Sequence, residues 1–199
     1  MNKVSLNFEL KYRDLGYKYI IGVDEAGAGC LAGPLVVAAV HIPEGFDITG
    51  IKDSKKLTPK KREEMASRLM NNCEFRIVEI NEKLIDEINI RNARMVGMGH
   101  VINQIEEADL ALIDGDFIPE FIDVHAVPII NGDNLSASIA AASIIAKVHR
   151  DSLMMTFHKK YPVYGWDKNK GYGTQQHRDA LKEYGPSPLH RKSFKGVLQ

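Results

Sequence analysis

Four carboxylates in this chain stand where apolar, strand-like runs end. Asp24 and Glu25 follow Tyr19-Ile20-Ile21-Gly22-Val23, Asp114 follows Leu110-Ala111-Leu112-Ile113, and Asp133 follows Pro128-Ile129-Ile130-Asn131-Gly132. An apolar β run seeks burial and a carboxylate resists it. Three runs that each deliver an acid at their end predict one shared acidic pocket. Carboxylates crowded together cannot all stay ionised unaided. A divalent cation resolves the conflict, and Mg²⁺ or Mn²⁺ prefers oxygen ligands. Four carboxylates around two cations about 3.5–4 Å apart would support in-line phosphodiester hydrolysis. Asp24 and Glu25 are neighbours, and neighbouring side chains of a regular strand face opposite ways. Either the strand ends there, or one of the two contributes a backbone oxygen.

Other residues could touch a substrate. Gly27, Gly29 and Gly33 resemble a dinucleotide fingerprint, but that motif needs a helix to open after the glycines. Pro34 and an apolar β-branched run follow instead. A loop whose backbone N–H groups approach a phosphate or sugar fits better. Asp53-Ser54-Lys55-Lys56 precedes a helix start and offers a hydroxyl and lysines to phosphates. Tyr172, between Gly171 and Gly173, is placed to stack on a sugar or base. The seven histidines show no zinc-ligand spacing with the two cysteines, and Cys30 reads as a small buried residue.

The elements that must position these residues alternate in type. Strands are expected over 17–24, 35–42, 74–80, 110–113 and 127–130. The run at 35–42 is continuously apolar, so burial on both faces is expected. Thr58-Pro59 marks a helix start, with Thr as cap and Pro at the first helical position, and that helix runs over 60–70. Further helices are expected over 88–106, 136–161 and 174–184. Strands with interposed helices indicate an α/β layer fold.

A chain of 199 residues, 44% hydrophobic and 26% charged, suits a single globular domain spanning 1–199. No apolar run approaches bilayer length, the N-terminus lacks signal-peptide character, and two cysteines make no disulfide framework. A reducing cytoplasm and no membrane association are expected. Net charge is zero, but unevenly spread. Residues 147–199 carry 11 Lys/Arg against 4 Asp/Glu, whereas residues 1–146 carry 15 against 22. An acidic front half with a basic tail half suits a metal site beside a nucleic-acid backbone.

Taken together the motifs resemble ribonuclease HII, from about Ile20 to Phe194. They include Gly22-Val23-Asp24-Glu25, Leu31-Ala32-Gly33-Pro34, Asp53-Ser54-Lys55-Lys56-Leu57, Asp114-Gly115, Gly132-Asp133, Ala141-Ala142-Ser143-Ile144-Ile145-Ala146-Lys147, Arg150-Asp151, Lys170-Gly171-Tyr172 and His190-Arg191-Lys192-Ser193-Phe194. The resemblance implies a ribonuclease-H-like mixed sheet flanked by helices, with a helical C-terminal part. It implies that Asp24, Glu25, Asp114 and Asp133 are the catalytic, metal-holding carboxylates, with Mg²⁺ or Mn²⁺ as cofactor. It implies that residues 27–29, Ser54, Lys55 and Tyr172 meet the substrate, Tyr172 at the ribonucleotide–deoxynucleotide junction. The implied substrates are RNA–DNA hybrids and duplex DNA with single embedded ribonucleotides, cut by a monomer. Two positions depart from the pattern: the family's Gly-Arg-Gly is Gly27-Ala28-Gly29 here, and its Lys-Gly-Asp is Asn131-Gly132-Asp133. Each departure removes a positive charge. A weakened or non-catalytic hybrid-binding homologue is therefore the alternative, and a resolvase-like nuclease of the same fold fits less well.

Overall fold

In a computed structural model of the chain, residues 4–52 and 54–198 are described. Asp53 and the Lys55 side chain, both part of the polar run singled out above, lie outside the described residues.

Five strands form one mixed sheet: β1 (Ile20–Ala26), β2 (Leu35–His41), β3 (Glu74–Ile80), β4 (Leu110–Asp114) and β5 (His125–Ile129), in the order β3-β2-β1-β4-β5. The pairs β1–β2 and β2–β3 are antiparallel, whereas β1–β4 and β4–β5 are parallel. The continuous apolar run of β2 is buried on both faces, as expected of a strand with helices above and below. Val36, Ala38 and Val40 pack on one face with Ala66 and Leu69 of α2 (Pro59–Asn72) and the alanines and isoleucines of α4 (Ala137–Lys160). Leu35, Val37 and Ala39 pack on the other with Ile85, Ala93, Met98 and Val101 of α3 (Glu82–Asn103).

The small residues of α4 allow it to lie directly on β1. A Cβ placed on Gly22 would sit 2.1 Å from the Ser138 carbonyl carbon, so only glycine admits this approach. Thr58 and Ser136 cap α2 and α4, accepting from Lys61 and Ile139 N–H groups. A third cluster joins Leu31 and Ala32 to Met154, Tyr164, Trp166 and Leu181, seating α5 (Trp166–Asn169) and α6 (Gln175–Tyr184) against the loop after β1.

Several elements differ from expectation, these for local reasons. The segment before β1 is held outside the sheet because the Asp109 carboxylate accepts from Lys18 and Tyr19 N–H at 2.7 and 2.9 Å. β1 then continues through both acids to Ala26. α3 begins earlier, at Glu82, and breaks at Asn89, whose φ is 65°. Asn89 Oδ1 accepts from the Asn92 N–H and so caps the second half afresh. An unforeseen helix, α1 (Asn7–Asp14), docks through buried Glu9, which accepts from Ser136 Oγ, Ser138 N and Ser138 Oγ at 2.6, 2.9 and 2.7 Å. A carboxylate at the α4 N-terminus meets unpaired amides and the positive end of the helix dipole. Among the described residues no helix is long and apolar enough to cross a membrane.

Candidate active site

Parallel pairing brings the acids together. Val23 is in register with Ile113, so Asp24 and Asp114 come next on neighbouring strands. Alternation then sorts the side chains by face. Asp24 shares its face with Ala26, on the α4 side, and Asp114 shares its face with Leu110 and Leu112, which pack with Ile139 of α4. Asp133 lies in the 3₁₀ turn Gly132–Asn134 that leads into α4. The Gly132 N–H donates to Asp114 Oδ1 at 2.7 Å, which ties the turn to β4. Asp24 and Asp114 therefore share one face at the sheet end, and the turn that carries Asp133 is tied to β4 beside them.

Glu25 does not share that side. Because β1 continues through it, Glu25 follows Val23 onto the α3 face, where Arg94 meets it. The Arg94 Nη2 donates to Glu25 Oε2 at 3.2 Å, and Nε lies 2.8 Å from Oε1. That Nε–H is buried and misaligned for a hydrogen bond, so the second contact is Coulombic. The Arg94 guanidinium also stacks 4.8 Å from the Phe117 ring centre.

Asp24 sits in an unfavourable place for a charge. Burial, then the charges of Glu25 and Asp114, hold its carboxyl well above the usual carboxylate range. Hydrogen bonds from the Ser143 side chain and the Glu25 N–H, the latter at 2.7 Å, oppose that rise. Ser143 Oγ is also 3.0 Å from Ser54 Oγ, so one hydroxyl of α4 links Asp24 to the polar run before α2. From the same run Lys56 donates to Asn134 Oδ1, and Asn134 Nδ2 donates to Asp133 Oδ1 at 2.8 Å. Among the described residues, no three carboxylate, imidazole or thiol groups are grouped closely enough to hold a metal ion as they stand. The donor set nevertheless suits a hard cation. It is all oxygen, it carries buried negative charge that destabilises Asp24, and an arginine already serves one of its members as counter-ion.

The loop and the tyrosine expected to meet the substrate form one bolted unit. Arg150, fully buried on α4, donates from Nε to Pro34 O, from Nη2 to Ala32 O and from Nη1 to Lys170 O, at 2.9, 3.0 and 2.8 Å. Arg191, also buried, donates to Gly33 O and Ala28 O. Leu31 N–H donates to Gly171 O at 2.8 Å. Gly27 has φ of 97°, and a Cβ there would fall 2.0 Å from Arg150 Nε, so this glycine makes room for the arginine. A Cβ at Gly29 would meet open space, so no packing demand explains that glycine.

Tyr172 is 43% exposed, with Lys147 Nζ 5.6 Å from its ring centre and its side chain hydrogen-bonded to Cys30. Burial pushes the Cys30 thiol up, although Arg150, Arg191 and Lys147 pull it down. Beneath Tyr172 lies a chain of fixed donors and acceptors. Because Tyr172 O can only accept, His177 Nδ1 carries the hydrogen in their 2.9 Å contact. His177 Nε2 therefore accepts, from Trp166 Nε1 at 3.2 Å and from His190 Nε2 at 3.0 Å. His190 Nδ1 accepts from Ser187 N–H at 2.9 Å. Both imidazoles are thus neutral. Burial pushes both pKa values down, that of His190 to about 4 with help from His177.

Composition did not reveal Arg94, Ser143, Asn134 or the two clamping arginines as working residues. Arg150 and Arg191 counted towards the basic excess expected to face nucleic acid, yet both are spent internally on backbone carbonyls. Nothing in their surroundings marks them out, since Arg150 stands between His149 and Asp151 and Arg191 between His190 and Lys192.

Known proteins share both the fold and the sequence. The ribonuclease HII family profile matches residues 21–197. Ribonuclease HII of Ruminiclostridium cellulolyticum is 49% identical over 191 residues, 95% of this chain and 74% of that protein. Ribonuclease HII of Chlamydia pneumoniae is 45% identical over 195 residues, 96% of this chain and 90% of that protein. Among solved structures, ribonuclease HII in its PCNA complex from Archaeoglobus fulgidus superposes with a TM-score of 0.80 at 29% identity, covering 89% of this chain and 96% of that one. Ribonuclease H2 of Pyrococcus horikoshii superposes with a TM-score of 0.78 at 27% identity, covering 90% and 95%. With acids at adjoining strand ends and a match along nearly its whole length, the chain belongs to the ribonuclease HII family and is a ribonuclease H enzyme.

Proposed function

We propose that this protein is a metal-dependent endonuclease that hydrolyses the RNA strand of RNA–DNA hybrids and cuts beside single ribonucleotides embedded in duplex DNA. The observation that supports the reading is that Asp24 and Asp114 share one sheet face, with the turn bearing Asp133 tied to Asp114 and the Asp24 carboxyl raised by burial and by its neighbours' charge. Such a group has little to gain from water or from the protein, and much from a cation.

Asp24, Glu25, Asp114 and Asp133 are the residues that would hold Mg²⁺ or Mn²⁺. The bound ions would supply Lewis-acid stabilisation of charge developing on the phosphate oxygens. The chain's own residues do the remaining work. Ser143 orients Asp24, and Gly132 N–H orients Asp114. Ser54 lies beside Ser143 and Lys56 reaches Asn134, and with Lys55 they form a run whose residue types suit backbone phosphates. The 27–29 loop, held from behind through its carbonyls, presents its outer side to the sugar, and the 2′-OH is the group that separates RNA from DNA. Tyr172 offers its exposed ring to the next sugar. Ala28 and Asn131 remove two positive charges but none of the four carboxylates, so the catalytic reading is preferred to a hybrid-binding homologue without activity.

The test is cleavage of a DNA duplex containing one ribonucleotide, with Mn²⁺, with Mg²⁺ and with chelator. Cutting beside the ribonucleotide only when metal is present is expected. Metal-independent cutting, or none on either this duplex or a long hybrid, refutes the reading. Tyr172→Ala is expected to slow cutting at the single ribonucleotide more than in a long RNA–DNA hybrid. Equal losses on the two substrates would remove Tyr172 from junction recognition.

A further inference from the structure

Arg94 is a cation at the site whose placement none of the catalytic roles above requires. It approaches from α3, on the sheet face opposite Asp24. It stands just beyond the break at Asn89, on the first turns of the restarted helix. Its guanidinium touches two things, the Glu25 carboxylate through Nη2 and Nε and the face of Phe117, and it lies near the turn that follows Asp114. A Cβ on Gly115 would lie 3.7 Å from Nη2. It therefore stands between two strand ends that carry acids.

The ion pair is incompletely made. Nη2–Oε2 is long for a charge-assisted bond at 3.2 Å, and the closer Nε–H is buried without an aligned acceptor. A buried donor left unaccepted costs stability. Contrast the two other arginines near the site, whose N–H groups sit on carbonyls at 2.8 to 3.0 Å. Arg94 is also half-open, with 26% of its side chain exposed, so it has water to move into. Phe117 gives the guanidinium a resting surface that does not depend on Glu25.

We propose that Arg94 is an internal counter-ion that competes with the divalent cation for Glu25. While Arg94 holds it, the Glu25 carboxylate is kept on the α3 face and is neutralised. The carboxylate becomes available to a cation shared with Asp24 only when Arg94 lets go. Arg94 is thus a positioning residue that lowers the affinity of the site for metal. This inference rests on the metal-dependent reading above and specifies which protein group the metal must displace.

The test is calorimetric titration of Mn²⁺ into the full chain without nucleic acid, so that the readout is metal affinity and not turnover. Arg94→Gln removes the charge, and its affinity is expected to be about 3- to 10-fold tighter, the worth of a part-exposed ion pair. In a Glu25→Gln background the same change is expected to have no effect, because no carboxylate is left to release. Phe117→Leu, which leaves Glu25 and Arg94 in place but removes the resting surface, is expected to shift affinity less than twofold. An unchanged or weaker affinity for Arg94→Gln overturns the inference. So does a gain that persists in the Glu25→Gln background, since that would be a general charge effect. If the unaltered chain and Arg94→Gln both fail to bind Mn²⁺, the metal-dependent reading itself fails, and this one with it. Thermal unfolding of each variant, expected within a few degrees of the parent, confirms that folded chains are compared.

Discussion

Asp24 and Arg150 are both buried charged side chains that meet the same helix, α4, and they are treated in opposite ways. Arg150 has no carboxylate partner in its hydrogen bonds, but its Nε, Nη1 and Nη2 reach carbonyls of the loop after β1 and of the segment before Tyr172. Arg191 repeats the pattern on the Gly33 and Ala28 carbonyls of the same loop. Asp24 receives two hydrogen bonds and faces two further negative charges. Its neighbour Glu25 has an arginine, but in an imperfect pair. The C-terminal clamp is therefore built to stay as it is, and the acid cluster is built to exchange partners. A satisfied network fixes geometry, whereas an unsettled one leaves binding energy for something that arrives later.

Replacing each kind of charge should have opposite consequences for folding and function. Asp24→Asn should lower the cleavage rate by at least about 10³-fold, roughly 4 kcal/mol in the barrier. The same change should raise the unfolding temperature, because it removes a buried carboxylate whose pKa the fold has raised. Steady-state cleavage and thermal unfolding of one variant check both halves. A drop in both quantities would mean that Asp24 is held by the fold and not merely tolerated.

Arg150→Ala should do the reverse. It strands three carbonyls and leaves a cavity at the heart of the clamp, at a cost of about 3–5 kcal/mol. Urea unfolding followed by the fluorescence of Trp166, the sole tryptophan, measures that loss. A cost below about 1 kcal/mol would contradict the rigid role given to the clamp.

The histidine pair predicts a pH dependence that belongs to the clamp. Folding holds His190 at about 4, below the 6.5 of an exposed imidazole, so the folded chain refuses a proton that the unfolded chain accepts. The pair costs nothing above pH 6.5. Stability should then fall as pH drops from 6.5 through 4, by on the order of 2–3 kcal/mol for His190. Urea midpoints between pH 7 and pH 4 test this, and His190→Gln should flatten the slope. An equal slope in that variant would assign the effect elsewhere.

The smallest effect is expected at Ala28, where the family pattern has arginine. Ala28→Arg should leave stability within about 0.5 kcal/mol, because the residue is partly exposed and its backbone is already held by Arg191. It should tighten hybrid binding by only a few-fold, as one added phosphate contact at the rim. Binding isotherms at two salt concentrations decide the matter, with the steeper salt dependence expected for the arginine variant.

Local sequence determined a good deal here. The apolar runs, the cap at Thr58 and the acids at three strand ends follow from neighbour-to-neighbour chemistry, so strands, α2 and the candidate carboxylates were legible in order. The continuous run at β2 announced a strand covered on both faces, and it is. What the sequence left open was decided by contacts between distant residues. Glu9 lies 127 residues from Ser136, yet that contact is what secures α1. Arg191 reaches Gly33 across 158 residues, which converts a positive charge expected to meet nucleic acid into part of the scaffold. Whether Asp24 and Glu25 share a pocket also depended on a distant fact. β2 pairs with β1 through Ala26, so alternation continues and Glu25 is delivered to Arg94 on the far face. Residue type fixes which groups can ionise or bond, because that is a property of the side chain alone. Which partner each group meets is set by strand register and helix docking, and those emerge only when the whole chain has packed.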